Sequence, residues 1–314
     1  MSLVLPDKTK DCGKQYAVHT QLSYETDKWL MRKNRPSRTA YKVALNVVTL
    51  GAKQGMEKIL PPDIVEATER LLVASGAVGT KSVRWSRSKR MVSVYEAFDW
   101  MLPGQFEAFA HRKAFCECQV RDGIDGGASQ VIVLGAGYDT LGWRLAPEFP
   151  GVNFFEIDHP ATALLKAKGI DEMGQRENLY LIAEDLGERK LEDVLKADSL
   201  WDLKARTIII AEGLVMYLPP EAVLELFCQC YVTTGTGSRI AFSYIPTGAD
   251  GRPYVGRWTG LMLWLQKVVG EPWLWSIRPE ELDLFLKKSG WINAQELVGV
   301  NGKQGVEFFA VATK

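Results

Sequence analysis

VIVLGAGYDTLGWRLAPEFPGVNFFEID, residues 131–158, decides the fold class of this 314-residue chain. β-Branched and aliphatic residues from Val131 to Leu134 run into Gly135-Ala136-Gly137. An amphipathic stretch follows, and a second apolar run, Val152 to Ile157, closes on Asp158. Strand, glycine turn, helix, strand and acid, in that order, make half of a nucleotide-binding βαβ unit. Glycines let the backbone approach a ligand closely. An acid about 20 residues further on can accept hydrogen bonds from both hydroxyls of a ribose.

The details point away from a dinucleotide. That fingerprint places a third glycine where helix packs on strand beside a pyrophosphate, and here the position is Thr140. Asp139 stands at the expected helix start, where the helix dipole should meet negative charge from a phosphate. A nucleoside ligand without phosphates fits better, and the common one is S-adenosylmethionine, leaving as S-adenosylhomocysteine.

Working outward, the composition allows one large α/β domain or two small ones. Hydrophobic residues make up 46% of the chain, enough for a full core. The formal net charge is zero, which gives no electrostatic argument for nucleic acid or an anionic membrane. No apolar run approaches a membrane span. The opening residues turn polar after Leu5, unlike a signal peptide. Five cysteines, Cys12, Cys116, Cys118, Cys228 and Cys230, read as buried reduced thiols in a cytoplasmic setting. A metal is disfavoured, because side chains at i and i+2 on a helix do not face each other.

Residues 1–25 read as a loose polar arm. Helical patterns fill the span to residue 128, with Ser37 as an N-cap and Pro61-Pro62-Asp63 opening another helix. The expected organisation is therefore a helical arm and cap over 1–128 and a nucleotide-binding core over 129–314. Within the core, strands are expected at 131–134, 152–157, 179–183, 207–211 and 238–244. The run Thr207–Ala211 is wholly apolar and so central. A closing antiparallel pair, 291–297 and 306–312, predicts a Rossmann-like seven-stranded α/β sheet. Ligands of such sheets sit beyond the carboxyl ends of the strands. Those ends carry Gly135 and Gly137, Asp158, Asp185-Leu186 and Glu212.

The segments VIVLGAGYDTLGWRL, FFEIDHP, AEDL and IIIAEGLVMYLP resemble the leucine carboxyl methyltransferase family, over roughly 95–312. GEPWLWSIRPEELDLFLKKSGW (270–291) resembles the bacterial relatives linked to polyketide and other small-molecule O-methylation. The resemblance implies a class I methyltransferase using S-adenosylmethionine. It places Gly135 against the methionine moiety, Asp158 on the ribose, Asp185 and the Leu186 amide on the adenine, and Glu212 near the methionine ammonium. It also implies an arginine for the methionine carboxylate, which HRKAF supplies as Arg112, and a basic residue in the N-terminal region, for which Arg38 is nearest.

Methyl transfer from a sulfonium is an in-line displacement in which the protein supplies alignment and a dry site. A carboxylate acceptor needs no base, whereas a hydroxyl gains from one. Tyr217 and His111 are weak candidates for the catalytic group; no base is compelling, which leans towards a carboxyl acceptor. Trp258, Trp264, Trp273 and Trp275, in the span 246–278, suggest an aromatic-lined cavity for an apolar or planar small molecule. The alternatives are methylation of a protein C-terminal carboxylate, and a non-catalytic regulatory protein retaining the fold. The unused strand-end acids of the second would each cost desolvation. A nicotinamide oxidoreductase is disfavoured by Thr140.

Overall fold

The computed structural model describes residues 37–297 and 306–314, apart from the side chains of 38 and 293–297. The expected arm over 1–25 lies outside the described residues, as does the Arg38 side chain.

The central element is one mixed sheet. Its strands are β1 (Gln130–Leu134), β2 (Asn153–Asp158), β3 (Leu179–Ala183), β4 (Thr207–Ala211), β5 (Arg239–Tyr244), β6 (Ile292–Leu297) and β7 (Phe308–Thr313). The spatial order is β3-β2-β1-β4-β5-β7-β6. The first five run parallel, and β7 is antiparallel to both of its neighbours. The order reverses between β1 and β4, and a crevice opens there at the carboxyl ends of parallel strands. β4 lies at the centre, with every residue buried. Strands covered on both faces read as continuous apolar runs rather than as alternating ones.

Eleven helices accompany the sheet among the described residues. Five precede it: α1 (Arg38–Leu50), α2 (Ile64–Ala74), α3 (Thr80–Ser86), α4 (Lys89–Ala97) and α5 (Gln105–Asp125). The short α6 (Leu141–Leu145) follows the glycine turn and α7 (Pro160–Met173) follows β2. Further along come α8 (Leu191–Ala197), α9 (Pro220–Val232), α10 (Thr259–Val269) and α11 (Pro279–Lys288). Proline opens α7, α9 and α11, where its missing N–H costs nothing. Ser37 caps α1 by accepting the Ala40 N–H at 3.1 Å.

Alternate residues of the strands face two cores. Ile132, Phe155, Ile209 and Phe242 pack with residues of α8, α9 and α11 on one face. Val131, Phe154, Ile208 and Ile210 pack with Phe115, Cys116 and Val120 of α5 and with α6 on the other. The first half of α5, through Phe106 and Ala110, packs instead with Val47, Leu50 and Ile64 of α1 and α2. One helix thus belongs to the sheet at one end and to the helical cover at the other.

Glu156 of β2 and Lys166 of α7 form an ion pair at 2.6 Å beneath the second core, each side chain 2% exposed. Gly142 makes room for it, since a Cβ there would lie 2.7 Å from Glu156 Oε1. Burial raises the Glu156 carboxyl above its ordinary range even with Lys166 beside it.

Candidate active site

The glycine turn is built as its sequence requires. Gly135 and Gly137 adopt φ of +65° and +50°, where a side chain is strained. The Gly135 and Ala136 amides donate to the Ile157 carbonyl at 2.9 and 3.2 Å, fastening the turn to the end of β2. The Gly137 amide donates to Asp158 Oδ2 at 2.6 Å. A Cβ on Gly135 would meet Leu214 Cδ1 at 2.9 Å, and one on Gly137 would meet Ala40 Cβ at 3.2 Å. The cover helix α1 therefore touches the turn directly. Burial raises the Asp158 carboxyl, and the Gly137 amide opposes that shift.

Asp139 corrects one step of the sequence argument. It does not stand as an unbalanced acid at the helix start. Its Oδ1 accepts the Leu141 N–H at 2.8 Å, opening α6, and its Oδ2 lies 2.6 Å from Lys113 Nζ. Burial alone would raise this carboxyl, but the Lys113 ammonium overrides it and holds it well below the usual carboxylate range.

A charge cluster forms where α5 crosses the carboxyl ends of β1 and β4. Arg112 Nε and Lys113 Nζ each lie 2.8 Å from Glu212 Oε1, and Arg112 Nη1 lies 2.5 Å from Glu307 Oε1. None of these side chains is more than 11% exposed. Burial weakens both cations' hold on their protons, and the carboxylates more than restore it, so each is raised. The guanidinium also stacks over Phe109, 4.6 Å from its ring centre. With Asp139 included, three carboxylates face two cations, a formal charge of −1. Glu212 Oε2 and Glu307 Oε2 have no hydrogen-bond partner among the described residues. Buried acceptors of this kind await a donor or are costly.

These groups share one cavity of about 450 Å³. Of the residues the sequence reading proposed, Gly135, Gly137, Asp158, Arg112, Glu212 and Tyr217 line it together. Asp185, Leu186 and His111 are not among the lining residues. Asp185 sits at the end of the neighbouring strand, accepting the Gly187 N–H at 2.8 Å, 3.7 Å from His159 Nε2. His159 caps α7, its Nδ1 accepting the Ala161 N–H at 3.2 Å. Leu186 packs against the core. Tyr217 is pushed up to about 12 by burial.

The expected tryptophan wall is largely absent. Of the four, only Trp273 lines the cavity; Trp275 belongs to the core, Trp264 is exposed, and Trp258 packs edge-on to Trp100. The aromatic surface comes instead from Tyr95, Phe98, Phe106 and Phe109, ahead of the glycine turn, with Val43, Val47 and Ile64. Tyr95 and Phe106 stack at 4.5 Å. The tryptophans drew attention by clustering in sequence, whereas the wall itself is spread over four helices, α1, α2, α4 and α5. Lys113 was legible as Arg112's neighbour in HRKAF; Glu307 carries no local signal. The cysteines also divide: Cys116 and Cys230 are buried, but Cys118 is exposed, its Sγ 3.4 Å from Asp122. No cluster of metal-ligating side chains occurs among the described residues, and no described helix is long and apolar enough to cross a membrane.

Comparison with known proteins agrees with this arrangement. A protein of Mycobacterium ulcerans provisionally named an S-adenosyl-L-methionine-dependent methyltransferase is 33% identical over 150 residues, 47% of each chain. One of Mycolicibacterium paratuberculosis with the same name is 30% identical over 187 residues, 58% of each. The chain thus spans about half the length of the curated relatives it matches. Among solved structures, one titled as a methyltransferase of Thermobifida fusca YX, also provisionally, aligns with a TM-score of 0.54 at 15% identity, covering 81% of this chain and 98% of that one. That likeness speaks for the fold. The sequence model described as leucine carboxyl methyltransferase matches residues 66–230, just over half of the chain. The match takes in the cluster on α5, the glycine turn, Asp158 and Glu212, and stops short of the segment 270–291. The chain belongs to the leucine carboxyl methyltransferase family and has the class I methyltransferase fold.

Proposed function

We propose that the protein binds S-adenosylmethionine over the glycine turn and transfers its methyl group to an oxygen of a small apolar molecule. The observation that carries this reading is the continuity of the cavity. It runs from Gly135, Gly137 and Asp158 past the charge cluster to a wall of Val47, Ile64, Phe106 and Phe109. Polar recognition lies at one end and an apolar seat at the other, the usual make-up of a small-molecule site.

The residues fit the cofactor. Its sulfonium, ammonium and carboxylate sum to +1, complementary to the cluster's −1. Asp158 keeps one oxygen for ribose hydroxyls beyond the one held by Gly137. Glu212 offers its unpartnered Oε2 to the ammonium. Arg112 has five N–H donors, and its two carboxylate partners approach Nε and Nη1, leaving Nη2 for the methionine carboxylate. Asp185 and Leu186, at the end of the strand beside Asp158, take the adenine outside the deeper cavity. Arg38 opens the helix whose Ala40 lies beside Gly137, and it is the basic residue this reading assigns to the cofactor's end of the site. His111 has no role here.

When bound, the cofactor supplies a methyl group activated by its positive sulfur. The chain's residues align the acceptor oxygen with that methyl and keep water out. Positioning of this kind supplies about 7–11 kcal/mol in well-oriented reactions. Tyr217 stays protonated through the neutral range, so it donates to the acceptor rather than taking its proton. The helices ahead of residue 128 act as the cover.

Calorimetric titration with S-adenosylmethionine, S-adenosylhomocysteine and NAD tests the reading. Both adenosyl ligands are expected to bind at about micromolar affinity and NAD not to bind. NAD binding without the adenosyl ligands overturns the proposal.

A further inference from the structure

The same cavity says more about the acceptor, provided the methyltransferase reading above holds. Two cations line it, Arg112 and Lys113, against six acids. Both cations are committed to carboxylates of the cluster. A carboxylate acceptor entering the apolar end would find no uncommitted cation in the described wall, and would face Glu307 and Glu212 from among apolar side chains. Like charges brought together in such surroundings are rejected.

Glu307 stands where the charged and apolar parts of the cavity join. Its neighbour Val306 packs, as Met262 and Trp273 do, against the cluster of Met216, Ile245 and Val255, and the Val306 amide donates to Gln105 at 2.8 Å. Glu307 Oε1 is held by Arg112, while its Oε2 is buried and has no hydrogen-bond partner among the described residues. The other groups that could take a proton are poorly suited. His111 does not line the cavity, Tyr217 holds its own proton, and Glu271 is engaged by the hydroxyls of Ser37 and Thr39. Glu212 meets both cations of the cluster. Of the remaining acids in the wall, Asp99 is exposed and accepts the Gly104 N–H, Asp139 is paired with Lys113, and Asp158 holds the Gly137 amide.

We propose that the acceptor is an apolar hydroxyl compound, a phenol or alcohol, and that Glu307 Oε2 receives its proton. The hydroxyl oxygen forms a bond to the methyl carbon as the carbon–sulfur bond breaks. Sulfur keeps the bonding pair, and the O–H proton passes to Glu307. The lean towards a carboxyl acceptor, drawn from the sequence because no base was evident, is thereby reversed.

The test compares two probes of one shape, 2-naphthol and 2-naphthoate, titrated at pH 7 into protein saturated with S-adenosylhomocysteine. Naphthol is expected to bind at least about tenfold more tightly. Glu307→Gln is expected to bring the two within roughly threefold of each other, by weakening naphthol and relieving repulsion of naphthoate. Glu307→Asp, which withdraws the carboxylate while keeping its charge, is expected to weaken naphthol and still exclude naphthoate. Naphthoate binding as tightly as naphthol to the wild-type protein, or no naphthol binding at saturation, overturns the proposal. An unchanged ratio in Glu307→Gln removes Glu307 from it. If S-adenosylhomocysteine itself does not bind, the methyltransferase reading falls. The naphthol preference of the free protein then decides the charge selection alone.

Discussion

Lys166→Met, and then Lys166→Met with Glu156→Leu, should have opposite consequences. The pair is 2.6 Å apart, and each side chain is 2% exposed. Removing only the ammonium leaves a carboxylate between sheet and helix without its partner, which costs about 3–5 kcal/mol in comparable pairs. At roughly 2 °C per kcal/mol for a chain of this size, the melting temperature should drop by about 6–10 °C. Replacing both residues removes two desolvation costs together, so the double variant should lie within about 1 kcal/mol of wild type or above it. The loss should also depend on pH. Burial already raises the Glu156 carboxyl with Lys166 present, and losing Lys166 raises it further. A carboxyl with a raised folded-state pKa binds more protons folded than unfolded. Stability therefore falls as pH rises from about 4.5, by up to roughly 1.4 kcal/mol per unit, until the folded value is reached. The assay is denaturant unfolding of the wild type and both variants at pH 5, 6, 7 and 8. A Lys166→Met protein that is equally destabilised at every pH, or a double variant as weak as the single, would refute the reasoning.

Other substitutions probe the site itself. Asp158→Ala should weaken S-adenosylhomocysteine binding about a hundredfold or more, since hydrogen bonds to a charged acceptor contribute roughly 1.5–3 kcal/mol each; unchanged affinity in calorimetry breaks the ribose assignment. Arg112→Ala should both weaken cofactor binding and destabilise the fold by about 3–5 kcal/mol, because Glu212 and Glu307 lose a buried partner. An intact unfolding midpoint would contradict the cluster. Tyr217→Phe should leave the shape of the pH–rate profile from about pH 6 to 10 unchanged, since the phenol is held at about 12. A lost alkaline limb would make Tyr217 the titrating group.

The half of the fold around the glycine turn was legible because its signals are local. Val131–Leu134, the paired glycines and Asp158 fall within one short stretch, and the β-branched run at 207–211 reads as a central strand. The charged part of the site was only partly readable. Arg112 and Glu212 were found, but that they bind each other could not be inferred from residues 100 positions apart in the chain. Glu307 sits at a loop end just before β7 and is chemically ordinary until the antiparallel pairing with β5 brings it to Arg112. The tryptophan span misled for the same reason. α10 buries none of its residues, and clustering along a chain says little about which side chains converge.

The double membership of α5 bears on how such a chain can diverge. Phe106 and Phe109 face the acceptor wall, Arg112 and Lys113 the cluster, and Phe115, Cys116 and Val120 the sheet, along one uninterrupted 21-residue helix. Point changes at 106 or 109 lie one to two turns from the charges and leave them in place, so new acceptors can be explored one residue at a time. An insertion or deletion between 109 and 112 is another matter. Each added residue turns everything on one side by about 100° relative to the other. It would take the guanidinium from Glu212 or the phenylalanines from the cavity, depending on which end stays docked. Lineages built on this arrangement should therefore vary at the wall positions of this helix while holding its length and its charged and sheet-facing residues fixed.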